Sequence, residues 1–266
     1  MIRLGLSNSS VFPKSIETCF RLAAEAGFDG VETMVSTDAV SRDAAQLEAL
    51  ATKYDIPVLS IHAPVLLVSQ FVWGRDQAVK LRRTAELAAD LGAETVVVHP
   101  PFRWQKGYAE RFLDTVREIH HDTGITMAVE NMFPWTVQGQ PLKAYLPGTD
   151  PTEMDCDAIC LDFSHAALSG QSALEMAKRA GPRLHHVHLC DGQGPDESGK
   201  MFDEHLLPGH GGQPVAETLE WLREGAWDGL VVAEVKTHRA KSEAERLGML
   251  LETVEFAREH LGLASH

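Results

Sequence analysis

The sequence predicts a (β/α)₈ barrel, an α/β fold, and three observations carry that expectation. Short β-rich runs alternate with amphipathic helical stretches from one end of the chain to the other. Eight such runs in 266 residues suit one large α/β domain rather than two small ones. Strand parity agrees. In VVVHP, Val97 and His99 share one face while Val96 and Val98 share the other. Glu130 likewise falls with Ala128 and Thr126, and Glu234 with Val232, opposite Val231, Ala233 and Val235. Each strand sends aliphatics outward to helices and ends its inward face on a polar residue. An open doubly wound sheet is the rival architecture.

The elements follow in order. Ile2–Ser7 precedes a helical pattern near 15–26 that stops at Gly27, and Asp29–Thr33 precedes one near 40–54. Pro57–His62 leads to a helix near 75–92, and Thr95–His99 to one near 107–122 with Gly124 beyond it. Glycines at these ends serve as left-handed caps. After Ile125–Glu130 the pattern breaks. Residues 131–157 are dense in proline and glycine, which predicts a long loop with at most a short helix. Phe133, Trp135 and Tyr145 within it suggest a lid. Ala158–Asp162 and a helix near 171–181, Leu184–Leu189 and a helix near 214–226, and Leu230–Val235 with a final helix near 240–261 complete the series. No composition shift or linker interrupts it, so residues 1–266 are expected to form one domain.

The formal net charge of −14 argues against broad capture of nucleic acid or of an anionic membrane. No apolar run approaches the roughly 18 residues that span a bilayer, and MIRLGLSNSS lacks a secretory h-region. Four cysteines without a CxxC pair read as reduced thiols, so a cytoplasmic protein is expected. GPDESGK (194–200) mimics a phosphate loop, but Met201 stands where Ser or Thr is needed and no helix pattern follows.

The chemistry lies at the strand ends. His62 closes the third strand, His99 the fourth, Glu130 the fifth, Asp162 the sixth, His188 the seventh and Glu234 the eighth. His165 follows three residues after Asp162, and Asp203 and His205 sit in the loop after strand seven. Barrel enzymes keep their active sites at this end. One His or Glu at a strand end is ordinarily structural or solvated. Nine at one mouth are different, because clustered carboxylates repel one another unless cations neutralise them. Mixed imidazole and carboxylate donors suit Zn²⁺ or Mn²⁺, and nine exceed the about four to six ligands of one ion. Two or three divalent ions are expected.

Seven motifs carry a resemblance: SIHAP, VVVHPP, AVEN, LDFSHA, HVHLCD, DEHLLPGHG and VVAEV, in order along nearly the whole chain. Together they resemble the xylose-isomerase-like TIM barrels, the superfamily of sugar (phosphate) isomerases and epimerases and of endonuclease IV (AP endonuclease family 2). The resemblance implies that Glu130, Asp162, His188 and Glu234 form the four-ligand metal site of the epimerases. It matches His62, His99, His165, Asp203 and His205 to the further ligands of the endonuclease's three-metal centre. Departures speak against DNA: Val65 stands where the DNA-cleaving members carry Tyr, and Glu204 where they carry Arg.

The expectation is therefore a metal-dependent isomerase or epimerase of a small sugar or sugar phosphate. Glu130 and Glu234 would bind metal and exchange a proton with a carbon beside a carbonyl, through an enediolate. An endonuclease IV-like phosphodiesterase and a non-catalytic sugar- or metal-binding barrel are the alternatives. Arg103, Trp104 and Lys106 of PPFRWQKGY, with Trp135 and His210, are candidate substrate contacts by charge and ring stacking. The same stretch also reads as a plain loop with a helix start. APVLLVSQFVW (63–73) either covers the site or meets a second subunit, which leaves a homo-oligomer open. His186, a layer below His188, reads as a hydrogen-bonded barrel residue, and Cys190 faces the helices by parity.

Overall fold

A computed structural model of the chain describes residues 1–64, 69, 71–137, 140–142, 144–194 and 202–264. Val65, the middle of the 63–73 run and most of the GPDESGK stretch lie outside these residues. The parallel strands are β1 Arg3–Ser7, β2 Gly30–Met34, β3 Val58–His62, β4 Thr95–Val98, β5 Thr126–Glu130, β6 Ile159–Asp162, β7 Leu184–Leu189 and β8 Leu230–Ala233. They close into the predicted barrel. β1 bonds to β2, with Gly5 beside Gly30, and to β8, with Arg3 beside Leu230.

Parity explains the closure. Val96, Val98, Met127 and Val129 pack outward in the main core, whereas Val97, Ala128, Ala158 and Cys160 form a separate cluster. Each strand thus has two apolar faces to bury, one against helices and one inside the ring.

The helices are α1 Ile16–Ala26, α2 Ala44–Tyr54, α3 Gln77–Asp90, α4 Lys106–Ala109, α5 Phe112–Thr123, α6 Phe163–Leu168, α7 Ala173–Ala180, α8 Val215–Glu224 and α9 Glu243–Leu261. Caps set their ends as composition requires. Ser15 accepts from the Thr18 N–H to start α1, which stops at Gly27 with φ 82. Phe20 and Leu22 of α1 are fully buried. Each stabilises the layer by roughly 1.5–3 kcal/mol, and Phe20→Ala would cost about 3–5 kcal/mol. Among the described residues no helix is long and apolar enough to cross a membrane.

Two regions differ from the expectation. The stretch after β5 folds a small antiparallel pair, Trp135–Val137 with Gln140–Leu142, before a 3₁₀ turn at Pro151–Glu153. Backbone bonds from Arg103 N to Ala144 O (2.7 Å) and Leu146 N to Pro101 O (2.9 Å) tie this stretch to the loop after β4. A further short helix, α6, follows β6 directly. Asp162 ends the strand and also caps the helix, its Oδ1 accepting from the His165 N–H at 2.7 Å. Six residues are too few to show helical periodicity in a sequence.

Candidate active site

All nine candidates, the six at predicted strand ends and His165, Asp203 and His205 beyond them, meet at the carboxyl mouth of the barrel. Glu130 is the hub, buried to 1% exposure. Its Oε2 lies 2.6 Å from His99 Nε2 and 3.3 Å from His62 Nε2. Its Oε1 lies 2.9 Å from His188 Nδ1 and 3.4 Å from His165 Nδ1. His188 Nδ1 also stands 3.0 Å from Glu234 Oε2 and 3.8 Å from Asp162 Oδ2. Asp203 Oδ1 completes the ring, 2.9 Å from His205 Nε2 and 3.9 Å from His165 Nε2.

Eight of the nine fall into three groups whose donor atoms lie within 4.8 Å of one another: His62, His99 and Glu130; Asp162, His165 and His205; and Glu130, Asp162, His188 and Glu234; a fourth group, a layer lower, joins Cys160 and His186 to His188. Mixed imidazole and carboxylate groups at this spacing fit divalent cations, and Glu130 belongs to two of the groups.

Main-chain carbonyls orient three of the histidines. The ring Nδ1 of His62 is 3.0 Å from Ala63 O, that of His165 is 2.9 Å from Asn131 O, and that of His205 is 2.6 Å from Glu234 O. With Nδ1–H donated there, each ring presents Nε2 to the mouth. His205 adopts φ 42, a left-handed backbone costing roughly 1–2 kcal/mol for a residue with a Cβ. The surrounding loop holds it. Asp191 accepts from the N–H groups of Gly192, Gly209, Gly211 and Gln213 at 2.8–3.1 Å, and its backbone pairs with Leu206. A Cβ on Gly211 would fall 2.2 Å from Asp191 Oδ1.

Burial and charge pull these groups apart in acidity. Asp162 is pushed up by burial. Burial would also raise Glu130, but His99 and His188 beside it hold its carboxyl well below the usual range. Burial would lower His165, yet the charges of Asp162 and Glu130 push it up to about 9. His99, by contrast, is lowered by burial.

The cavity over this floor is about 440 Å³, and its wall is aromatic. Phe102, Trp135 and Tyr145 line it with ring centroids 5.2–6.1 Å apart, and Phe133 stands over His165 at 5.0 Å. Trp135 is therefore at the mouth. Trp104 stacks on Phe102 at 4.5 Å and lines an adjoining cavity of about 430 Å³ that reaches His99. Arg103 and Lys106 are exposed and line neither the mouth nor that adjoining cavity. His210 turns to the surface, its Nε2 2.7 Å from Glu252 on α9. Cys190, one residue past β7, brings its Sγ to within 3.7 Å of Asp162 Oδ2, which corrects the expectation that it faces the helices; residues 186, 188 and 190 share one parity, so continued alternation carries it inward.

Sequence reasoning missed three residues. Ser9, in the turn after β1, donates to Glu234 Oε1 at 2.9 Å. Asn131 Oδ1 accepts from the Asp162 N–H at 2.6 Å and its Nδ2 donates to Asp162 O. Glu32 of β2 is fully buried beneath His188. The mid-strand Glu in GVETM was the available signal for the last.

Residues 20–260 match the family model described as "Xylose isomerase-like TIM barrel". The chain belongs to this family. An uncharacterised protein of Mycobacterium tuberculosis is 44% identical over 98% of each chain. Fructoselysine 3-epimerase of Escherichia coli O157:H7 is 20% identical over 84% of this chain and 86% of its own. Among solved structures of the family fold, a D-tagatose 3-epimerase-like protein superposes with a TM-score of 0.68 at 26% identity, covering 97% of this chain and 98% of that one. The IOLI protein, solved with a bound zinc atom, superposes with a TM-score of 0.71 at 18% identity over 98% of each chain.

Proposed function

We propose that this protein is a divalent-metal-dependent isomerase or epimerase of a small sugar or sugar phosphate, working in the cytoplasm. One observation carries the reading. Glu130 and Glu234, from strands three apart around the ring, both come within 3.0 Å of one imidazole nitrogen, His188 Nδ1, and both line the aromatic cavity. The sugar epimerases among the similar proteins, and the zinc of the IOLI structure, support it.

Two carboxylates on separate strands can take a proton from one side of a substrate carbon and return one from the other, which inverts that centre. Glu130 suits the first role because His99 and His188 keep it ionised despite burial. Glu234 is aimed by Ser9. The rings of Phe102, Trp135 and Tyr145 exclude water and offer faces for sugar C–H groups. Glu130, Asp162, His188 and Glu234 would hold the principal cation, Zn²⁺ or Mn²⁺, which when bound polarises neighbouring substrate oxygens and so lowers the cost of the enediolate. His62, His99, His165 and His205 would complete sites for one or two further ions, with Asp203 beside His205 and His165.

The test is solvent exchange. Incubated with ketohexoses or ketopentoses in D₂O, the loaded protein should place deuterium at a carbon-bound position, read by mass spectrometry. Glu130→Gln and Glu234→Gln should each lower the rate by at least about 10²-fold. Unchanged exchange in both variants would defeat the assignment.

A second reading rests on the same count of donors. Nine exceed the needs of one cation, and clustered cations suit phosphodiester hydrolysis of the endonuclease IV kind. The acidic chain and Glu204 weigh against it. Metal-dependent incision of duplex DNA at an abasic site would decide in its favour.

A further inference from the structure

β2 sends no residue into the ring of nine, but its Glu32 lies directly beneath that ring at 0% exposure. Glu32 Oε1 is 3.1 Å from His188 Nε2. Its Oε2 accepts from Ser60 Oγ at 2.8 Å and stands 3.1 Å from His186 Nε2, too poorly aligned for a hydrogen bond. The register between β2 and β3 slips here: Val31 faces Val58 but Glu32 faces Ser60, so Leu59 is passed over. Such irregularities re-aim side chains next to active sites. A carboxylate in a barrel interior is costly unless its partners answer its charge. Of its partners, His188 alone also reaches the mouth.

We infer that Glu32 is a positioning residue, which fixes the ring of His188 so that Nδ1 faces the cation site. The inference rests on the metal-site reading above. An imidazole binds a cation through one nitrogen only when the other carries the proton. In His62, His165 and His205 a main-chain carbonyl holds that proton, and no substitution can remove it. His188 has the reverse polarity, with Nδ1 toward Glu130, Asp162 and Glu234 and Nε2 downward. Its anchor is a side chain, and a charged one. Glu32 therefore sets the tautomer and, as an anion behind the ring, strengthens Nδ1 as a donor.

Zn²⁺ affinity, measured by competition with a chromophoric chelator, tests this without any assay of turnover. Glu32→Gln keeps the shape and removes the charge, and it should weaken Zn²⁺ binding by about 10–100-fold. His186→Leu disturbs the same layer without removing a member of the Glu130–Asp162–His188–Glu234 group, and it should leave affinity within about twofold. Equal affinity in wild type and Glu32→Gln would overturn the inference. So would equal weakening in both variants, because the layer's packing would then be responsible. Should Glu32→Gln fail to fold, ¹⁵N NMR of histidine-labelled wild type decides, with a proton on His188 Nε2 expected and a neutral ring protonated at Nδ1 overturning it. A wild type that binds no Zn²⁺ would sink the metal reading, while the same spectrum on the chelated protein still reports on Glu32.

Discussion

His188 and His186 stand two residues apart on one face of β7, both at 0% exposure, yet they live in different chemistry. His188 touches carboxylates from β2, β5 and β6 and from Glu234, the residue just past β8. The one carboxylate His186 pairs with is Glu32, its ring stands 5.0 Å from that of His188, and neither of its ring nitrogens makes an aligned hydrogen bond. Burial lowers His186, whereas two layers' worth of carboxylates crowd His188. On the metal reading proposed above, identical residues one pleat apart divide into a ligand of the mouth and a member of the layer beneath it. Height in the barrel separates them, because only the upper layer meets the loops that bring Asp203, His205 and Glu234.

The largest expected break of this contrast is His188→Ala, which should remove most bound metal from gently purified protein, with His186→Leu retaining it. Elemental analysis showing equal content in both would erase the distinction. A smaller loss is expected from Asp191→Ala. It frees the loop holding His205 in its left-handed conformation, so one ion of the set should loosen while the Glu130–Asp162–His188–Glu234 group keeps its own. Anomalous diffraction with all ions at full occupancy would contradict that.

Acidity offers a third comparison. His165, at about 9 against an ordinary value near 6.5, contributes stability that is fully present below pH 6.5 and lost as pH rises through about 9. Metal binding runs the other way, tightening as imidazoles shed protons. The gap in Tm between Zn²⁺-loaded and EDTA-treated protein should therefore widen from pH 6.5 to 9, and a narrowing gap would count against the His165 assignment. Least affected should be His210→Ala, whose partner Glu252 is on the surface; its Zn²⁺ affinity should match wild type and its stability stay within about 0.5 kcal/mol.

The barrel was legible because period-2 alternation survives in strands such as VVVHP and TMAVE, where both faces must be apolar and each ends on a polar group. His62, His99, Glu130, Asp162, His188 and Glu234 announce themselves by closing those runs. Glu32 does not, since it falls inside its strand and its aim depends on a slipped register that no single sequence displays. The Trp135–Leu142 pairing was hidden for a different reason. Its arms are only three residues long, and its neighbours Ala144 and Leu146 bond to a loop some forty residues earlier. Short segments held by distant contacts carry too little local pattern to be read.

Ring closure has a consequence for how the protein is made. β8 supplies the seam with β1 and is followed at once by Glu234, to which Ser9 from the first turn reaches across 225 residues of chain. During synthesis the His62, His99 and Glu130 group exists long before its counterpart. On the metal reading proposed above, a growing chain would grip a cation only weakly, and full coordination would wait for the last strand to dock against the first. Loading and sealing become one late event, so a shortage of metal should show first as slow maturation of newly made chains rather than as unfolding of old ones.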